Sequence, residues 1–167
     1  MRLVYWALAG ALGILCASAA SAASVAELRA VIDGVYTLEE WHSDGQVLRP
    51  PQVDGRYVLM NGTITMVLLN DAQEANRTSN AQFGTYVLDE TSFSYGYDTR
   101  SSFTQTPSTI TVSRTPGFAG MRRFAVSIDG SVVHLKSGPQ EFIFTPEGVR
   151  YLENGRLLRV WRRVKAN

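Results

Sequence analysis

Cysteine is almost missing from this chain. Cys16 is the only one and it lies in an apolar segment near the start, so disulfides, thiol nucleophiles and cysteine metal sites are excluded from the rest. Histidine is scarce too, with His42 and His134 alone, and no acid spacing around them suggests a shared metal sphere. Neither sign of charge is in excess: 16 basic and 15 acidic side chains leave no global field that would favour nucleic acid or anionic lipid. No nucleophile elbow, Walker loop, dinucleotide fingerprint or zinc motif occurs, and no cofactor is expected. Beyond Gly34 no stretch carries a convincing helical period.

What is present opens with a leader. Met1-Arg2 precedes an apolar run from Leu3 to Ala17, and small residues follow to Ala20-Ser21-Ala22. A basic start, a middle too short for a comfortable membrane span and an Ala-x-Ala site predict a secretory signal cleaved after Ala22, hence a periplasmic or secreted protein with no stable membrane span. Leu15 argues against lipidation of Cys16, because the residue before a lipidated cysteine is normally small. The remainder, 23–167, reads as one domain, and an apolar content of 45% suits a chain with a real core. Its basic and acidic side chains balance once Arg2 is removed.

Ser24 to Ile32 predicts one short helix. Ser24 is a plausible N-cap, Glu27 completes a capping box, and Val25, Leu28, Val31 and Ile32 fall at helical spacing. Such a helix could plug one end of a barrel or lie outside it. Then short runs rich in Val, Ile, Thr, Tyr and Phe alternate with turn signals. Strands are predicted at 34–42, 55–60, 63–70, 83–89, 92–98, 108–114, 122–128, 132–137, 140–145, 149–153 and 156–164. Asn61-Gly62, Asp129-Gly130, Glu147-Gly148 and Asn154-Gly155 are dipeptides that tolerate positive φ in tight hairpins. A series of short hairpins makes an antiparallel meander, which removes its edges most simply by closing. The expected fold is therefore all-β: an up-and-down barrel of eight to ten strands. Asp71 to Ala81 lacks periodicity and reads as a mobile loop at the mouth, and 115–120 as a second loop with an exposed Phe118.

Several of these residues stand together in a familiar way. Gly34-Val35-Tyr36 opens the first strand and Arg159-Val160-Trp161-Arg162-Arg163 lies in the last; Asp44-Gly45 with Pro50, Gly55-Arg-Tyr57, Asn61-Gly62, Phe83-Gly-Thr-Tyr86 and Arg123-Phe124 through Asp129-Gly130 to Leu135 fall between. This arrangement resembles the calycins, specifically the bacterial lipocalin-like domain proteins. The resemblance implies a barrel with an internal cavity and a basic side chain of the closing strand packed over the ring of the first. It implies no particular ligand or reaction.

The candidate site residues follow from strand parity. Tyr36, Leu38 and Glu40 share one face of the first strand. If that face points inward, Glu40 is a carboxylate in an apolar container, with its pKa pushed up; if the register is off by one, it is solvated instead. His42 has the same parity, so Glu40 and His42 are the best acid–base pair available. His134 alternates with Val133 and Leu135 and should face solvent. Arg159 and Trp161 share a face of the last strand, where Arg159 either pairs with an anionic head group or one of Arg159, Arg162 and Arg163 stacks on Tyr36. Tyr57, Tyr86, Tyr95 and Phe124 complete the expected ligand-binding set, since tyrosines bring hydroxyls into an apolar wall. Phe93, Tyr95 and Tyr97 have one parity, so all three line the interior or all three decorate the outside.

Three functions fit this sequence. One is a monomeric barrel that binds a small hydrophobic or amphipathic molecule. Another is an isomerase- or cyclase-type barrel enzyme using Glu40 or His42 for proton transfer. The third is an envelope protein whose barrel is filled by its own side chains.

Overall fold

The computed structural model describes residues 23–73 and 75–165; the expected leader, Met1–Ala22, lies outside them. One helix, α1 (Val25–Ile32), precedes twelve strands: β1 (Gly34–Ser43), β2 (Gln46–Leu48), β3 (Val53–Met60), β4 (Thr63–Asn70), β5 (Arg77–Leu88), β6 (Ser92–Gln105), β7 (Ile110–Pro116), β8 (Arg122–Asp129), β9 (Val132–Ser137), β10 (Gln140–Thr145), β11 (Gly148–Glu153) and β12 (Arg156–Arg163). Ten of them close into an antiparallel barrel, running from β1 through β3, β4, β5, β6 and β8 to β12, which pairs back onto β1. The two left over, β2 and β7, extend β1 and β6 as short ribbons. The all-β barrel expected from the sequence is the fold. None of the described helices is long and apolar enough to cross a membrane.

The turns work as their residues require. Asn61-Gly62 and Asn154-Gly155 take positive φ at both positions, a backbone in which the asparagine tolerates the left-handed region and glycine is free of Cβ clashes. Glu147-Gly148 differs from expectation: Gly148 opens β11 without a positive φ, and a Cβ there would lie 2.0 Å from the Trp161 carbonyl oxygen. It is glycine for closeness, not for the turn.

One end of the barrel is filled. The Ser24–Glu27 capping box forms as expected, and α1 lies across that end with Leu28 and Ile32 fully buried. Against them pack Tyr36, Leu59, Ile64, Phe93, Phe124, Val133, Leu135 and Phe144, all at 0–1% exposure. Polar anchors fix the helix in place. The Tyr36 hydroxyl donates to the Ile32 carbonyl at 2.6 Å, and the Tyr86 hydroxyl donates to Asp33 Oδ1 at 2.5 Å while accepting from Arg29 Nη1 at 3.2 Å. Arg163, from the far end of the chain, donates to the carbonyls of Val31 and Asp33 and to the Tyr36 hydroxyl, with its guanidinium 5.1 Å from the centre of the Tyr36 ring. Of the three arginines open to that stacking role in β12, Arg163 takes it. Gly34 makes room, since a Cβ there would come within 2.8 Å of Arg163 Nη1.

Two segments depart from the sequence expectation for one reason. The span read as a loop at 71–81 becomes strand from Arg77, and β6 runs on to Gln105. These residues are mostly Ser, Thr, Asn, Gln and Arg, so the apolar alternation that marks a strand is absent where the ribbons rise past the core.

Candidate functional site

The other end of the barrel is open, and strand register decides which side chains meet there. Neighbouring residues across the inner wall form a row from Tyr36 to Tyr57, Met66, Gln82, Arg100 and Thr115 on β1, β3, β4, β5, β6 and β7. Strands in a barrel tilt against its axis, so a row followed from strand to strand climbs. This one starts in the packed end at Tyr36 and finishes at the mouth. A second row passes from Leu135 to Phe142, Tyr151, Arg159 and Trp41 on β9 to β12 and β1. Between them Tyr86, Tyr95 and Arg122 are cross-strand neighbours.

These rows enclose a cavity of about 440 Å³, within the range of sites that hold drug-sized molecules. Its wall is aromatic. Tyr57 sits 5.7 Å from Trp161, Tyr95 is 5.4 Å from Tyr97, and Phe142 stacks on Tyr151 at 4.7 Å, measured between ring centres. A further recess of about 500 Å³ continues along the upper wall and shares Met66, Gln82, Arg100 and Arg159 with it. The loop after β7 supplies a partial cover. Phe118 points inward between Tyr95 and Tyr97, at 6.0 and 5.7 Å, and the Arg122 guanidinium lies 4.3 Å from its ring centre. Phe118 is thus a wall residue, against the sequence expectation of an exposed one. Gly117 permits this seat: its N–H donates to the Asp98 carbonyl at 2.9 Å, so close that a Cβ would overlap the Tyr97 carbonyl oxygen.

Polar groups in this wall are under-used. The hydroxyls of Tyr57 and Tyr97 meet no hydrogen-bond partner among the described residues, and burial pushes both pKa values well up, further for each because neighbouring tyrosines would add like charge. Arg159 lies with its guanidinium carbon 4.7 Å from the Trp41 ring centre and 6.0 Å from that of Tyr151, and its buried Nε has no partner. Burial lowers its pKa, against the pull of Tyr151 and Glu153.

Of the residues expected from the sequence to meet a ligand, Tyr57, Tyr95, Arg159 and Trp161 line the cavity. Tyr36, Leu38, Tyr86 and Phe124 do not; they are buried in the core. Phe93, Tyr95 and Tyr97 all point inward, Phe93 into the packed end and the two tyrosines toward the cavity. Trp41, Met66, Gln82, Arg100, Phe118, Arg122, Phe142 and Tyr151 were not in that set. Their signal was register, which one strand read by itself does not carry.

Glu40 is a correction. A bulge between Leu38 and Glu40 places Leu38 opposite Trp161 but Glu40 opposite Val160, so the extra residue turns Glu40 outward and brings Trp41 in beside Arg159. Outside, Glu40 takes a hydrogen bond from Arg49 Nη2 at 2.5 Å and lies 2.8 Å from His42 Nε2. The bond to His42 first and that to Arg49 second hold its carboxyl below the usual range, the reverse of the rise a cavity acid would show. His42 is turned out with it. His134 is also on the outer face, 3.0 Å from Glu141. A wide groove of about 910 Å³ runs beside Glu40, where Arg49 pairs with Glu40, Arg162 with Glu39 and Asp54 with Arg56, and Asp71 is the lining charge in no ion pair among the described residues. No protein-family model, no curated protein and no solved structure matches this chain.

Proposed function

We propose that this is an exported, lipocalin-like barrel that holds a small hydrophobic or amphipathic molecule in its open half. The observation that carries the proposal is the division of the interior: one end is filled by side chains and a helix, while the other keeps a cavity of about 440 Å³ walled by aromatic rings. Packed interiors leave few voids larger than a water molecule, so a space of that size with apolar walls is suited to an occupant. Export is supported by the leader pattern of Met1–Ala22, and the lipocalin-like assignment by the Gly34-x-Tyr36 opening with Arg163 packed over the Tyr36 ring. Proton transfer by Glu40 or His42 on a bound molecule is not favoured, because neither side chain reaches the cavity.

Native mass spectrometry of the protein purified from its own envelope fraction tests this reading. A stoichiometric small-molecule adduct that leaves on denaturation is expected. A clean apo mass, together with no binding of a neutral apolar fluorophore, would reject it.

A further inference from the structure

We propose that Arg159 seats an anionic group, so that the molecule held in the cavity is an amphipathic organic acid. This rests on the reading that the cavity holds a small molecule and adds the chemical class. Arg159 and Arg163 sit four positions apart on β12, and the contrast between them is the starting point. Arg163 donates through both Nη atoms to two backbone carbonyls and a hydroxyl, and only its buried Nε goes without a partner. Arg159 enters no ion pair and no side-chain hydrogen bond among the described residues, so its whole guanidinium, and not its buried Nε alone, goes unmatched. A guanidinium does not lose its proton in proteins, so Arg159 is a standing positive charge in an aromatic wall. Its contacts with Trp41 and Tyr151 soften the burial through ring quadrupoles but engage none of its N–H donors.

The surroundings have one sign. Arg100, Arg122 and Arg159 line the cavity, Arg100 and Arg159 line the recess continuous with it, and no aspartate or glutamate lines either. Glu153 is the acid whose field reaches Arg159, and it is absent from both walls. A cleft with charge of one sign and low-dielectric walls concentrates ions of the other. The planar fork of a guanidinium matches a carboxylate with two parallel hydrogen bonds, and the unpartnered hydroxyls of Tyr57 and Tyr97 add polar contacts near an apolar body. An anionic head on Arg159 with its body against the tyrosines and Phe118 satisfies the groups that the protein leaves unmatched.

The test uses the intact exported chain and displacement of a neutral probe, N-phenyl-1-naphthylamine, by dodecanoate, dodecan-1-ol and dodecylammonium. Dodecanoate should compete at least about tenfold better than the alcohol, and the ammonium worse than either. In Arg159→Met the acid-to-alcohol ratio should fall close to one, while in Glu40→Gln, outside the barrel, it should keep its wild-type value. Arg159→Gln is the second variant should the first fail to fold, and the wild-type ratio needs neither. Equal displacement by acid and alcohol would overturn the anion assignment and leave the container reading standing. An acid preference that survives at position 159 would overturn the role of Arg159. A probe that does not bind, with no adduct of any of the three in native mass spectrometry of the protein mixed with them, would overturn both readings.

Discussion

The two ends of this barrel are built from the same residue types and use them in opposite ways. At the filled end Tyr36, Tyr86 and Arg163 direct their polar atoms at helix carbonyls, at Asp33 and at one another, so rings and charges become fastenings for α1. At the open end Tyr57, Tyr97 and Arg159 line the cavity, and none of the three makes a side-chain hydrogen bond among the described residues. Aromatic and cationic content therefore does not separate core from site; the extent to which the polar atoms are engaged does, since Arg163 bonds through both Nη atoms and leaves only its Nε unmatched. Interiors rarely leave such groups unmatched, so an unmatched set gathered in one place points outward from the fold to something it meets.

The comparison can be strained hardest at the filled end. Phe124 has 0% exposure, and Phe124→Ala should cost about 3–5 kcal/mol of unfolding free energy in a denaturant titration. A loss under about 1 kcal/mol would mean that this end is not the packed core. Next come the paired arginines. Arg163→Met strands carbonyls of Val31 and Asp33 and should lose about 2–4 kcal/mol, whereas Arg159→Met should stay within about 1 kcal/mol of wild type or exceed it, since it removes a buried charge with no partner. Equal losses would erase the distinction between the two ends.

A smaller effect sharpens the same contrast. Tyr86→Phe deletes a hydroxyl held between Asp33 and Arg29 and should cost about 1–2 kcal/mol. Burial, then the bond to Asp33, pushes the Tyr86 pKa up to about 12 from an ordinary value of 10.0. The folded state thus holds its proton where the unfolded chain releases it. Its contribution is complete below about pH 10 and is lost as pH rises toward 12, so thermal melts should fall through that window more steeply in wild type than in Tyr86→Phe. The smallest effect lies outside the barrel. Glu40→Gln should change stability by less than about 1 kcal/mol near neutral pH and leave probe affinity unaltered. Because the folded carboxyl titrates low, that difference should shrink further as pH falls through the carboxylate range.

Period and turn chemistry made most of the barrel legible in the sequence. The alternation of Tyr36 and Leu38, the row Phe93-x-Tyr95-x-Tyr97 and the Asn-Gly turns announce strands and hairpins without reference to any other part of the chain. What stayed hidden was non-local or irregular. A bulge inserts one residue without a composition of its own, so Glu40 and Trp41 exchanged faces unannounced. The polar ribbons of β5 and β6 had no buried face to mark them. The cavity itself is a product of tilt and register: Met66, Gln82 and Arg100 become a wall only when β4, β5 and β6 lie side by side.

The clamp of Arg163 on the helix also has a meaning in time. Its bond to the Asp33 carbonyl spans 130 positions, and the seam between β1 and β12 is of similar reach. Contacts that distant repay the entropy of loop closure late, and they slow folding relative to local pairings. A growing chain can zip its hairpins in order from β3 onward, yet α1 has no fastening from Arg163 and β1 has an open edge until β12 arrives. An unpaired strand edge is a template for other chains, so the interval before the seam shuts is the period when this protein most needs protection from its own kind.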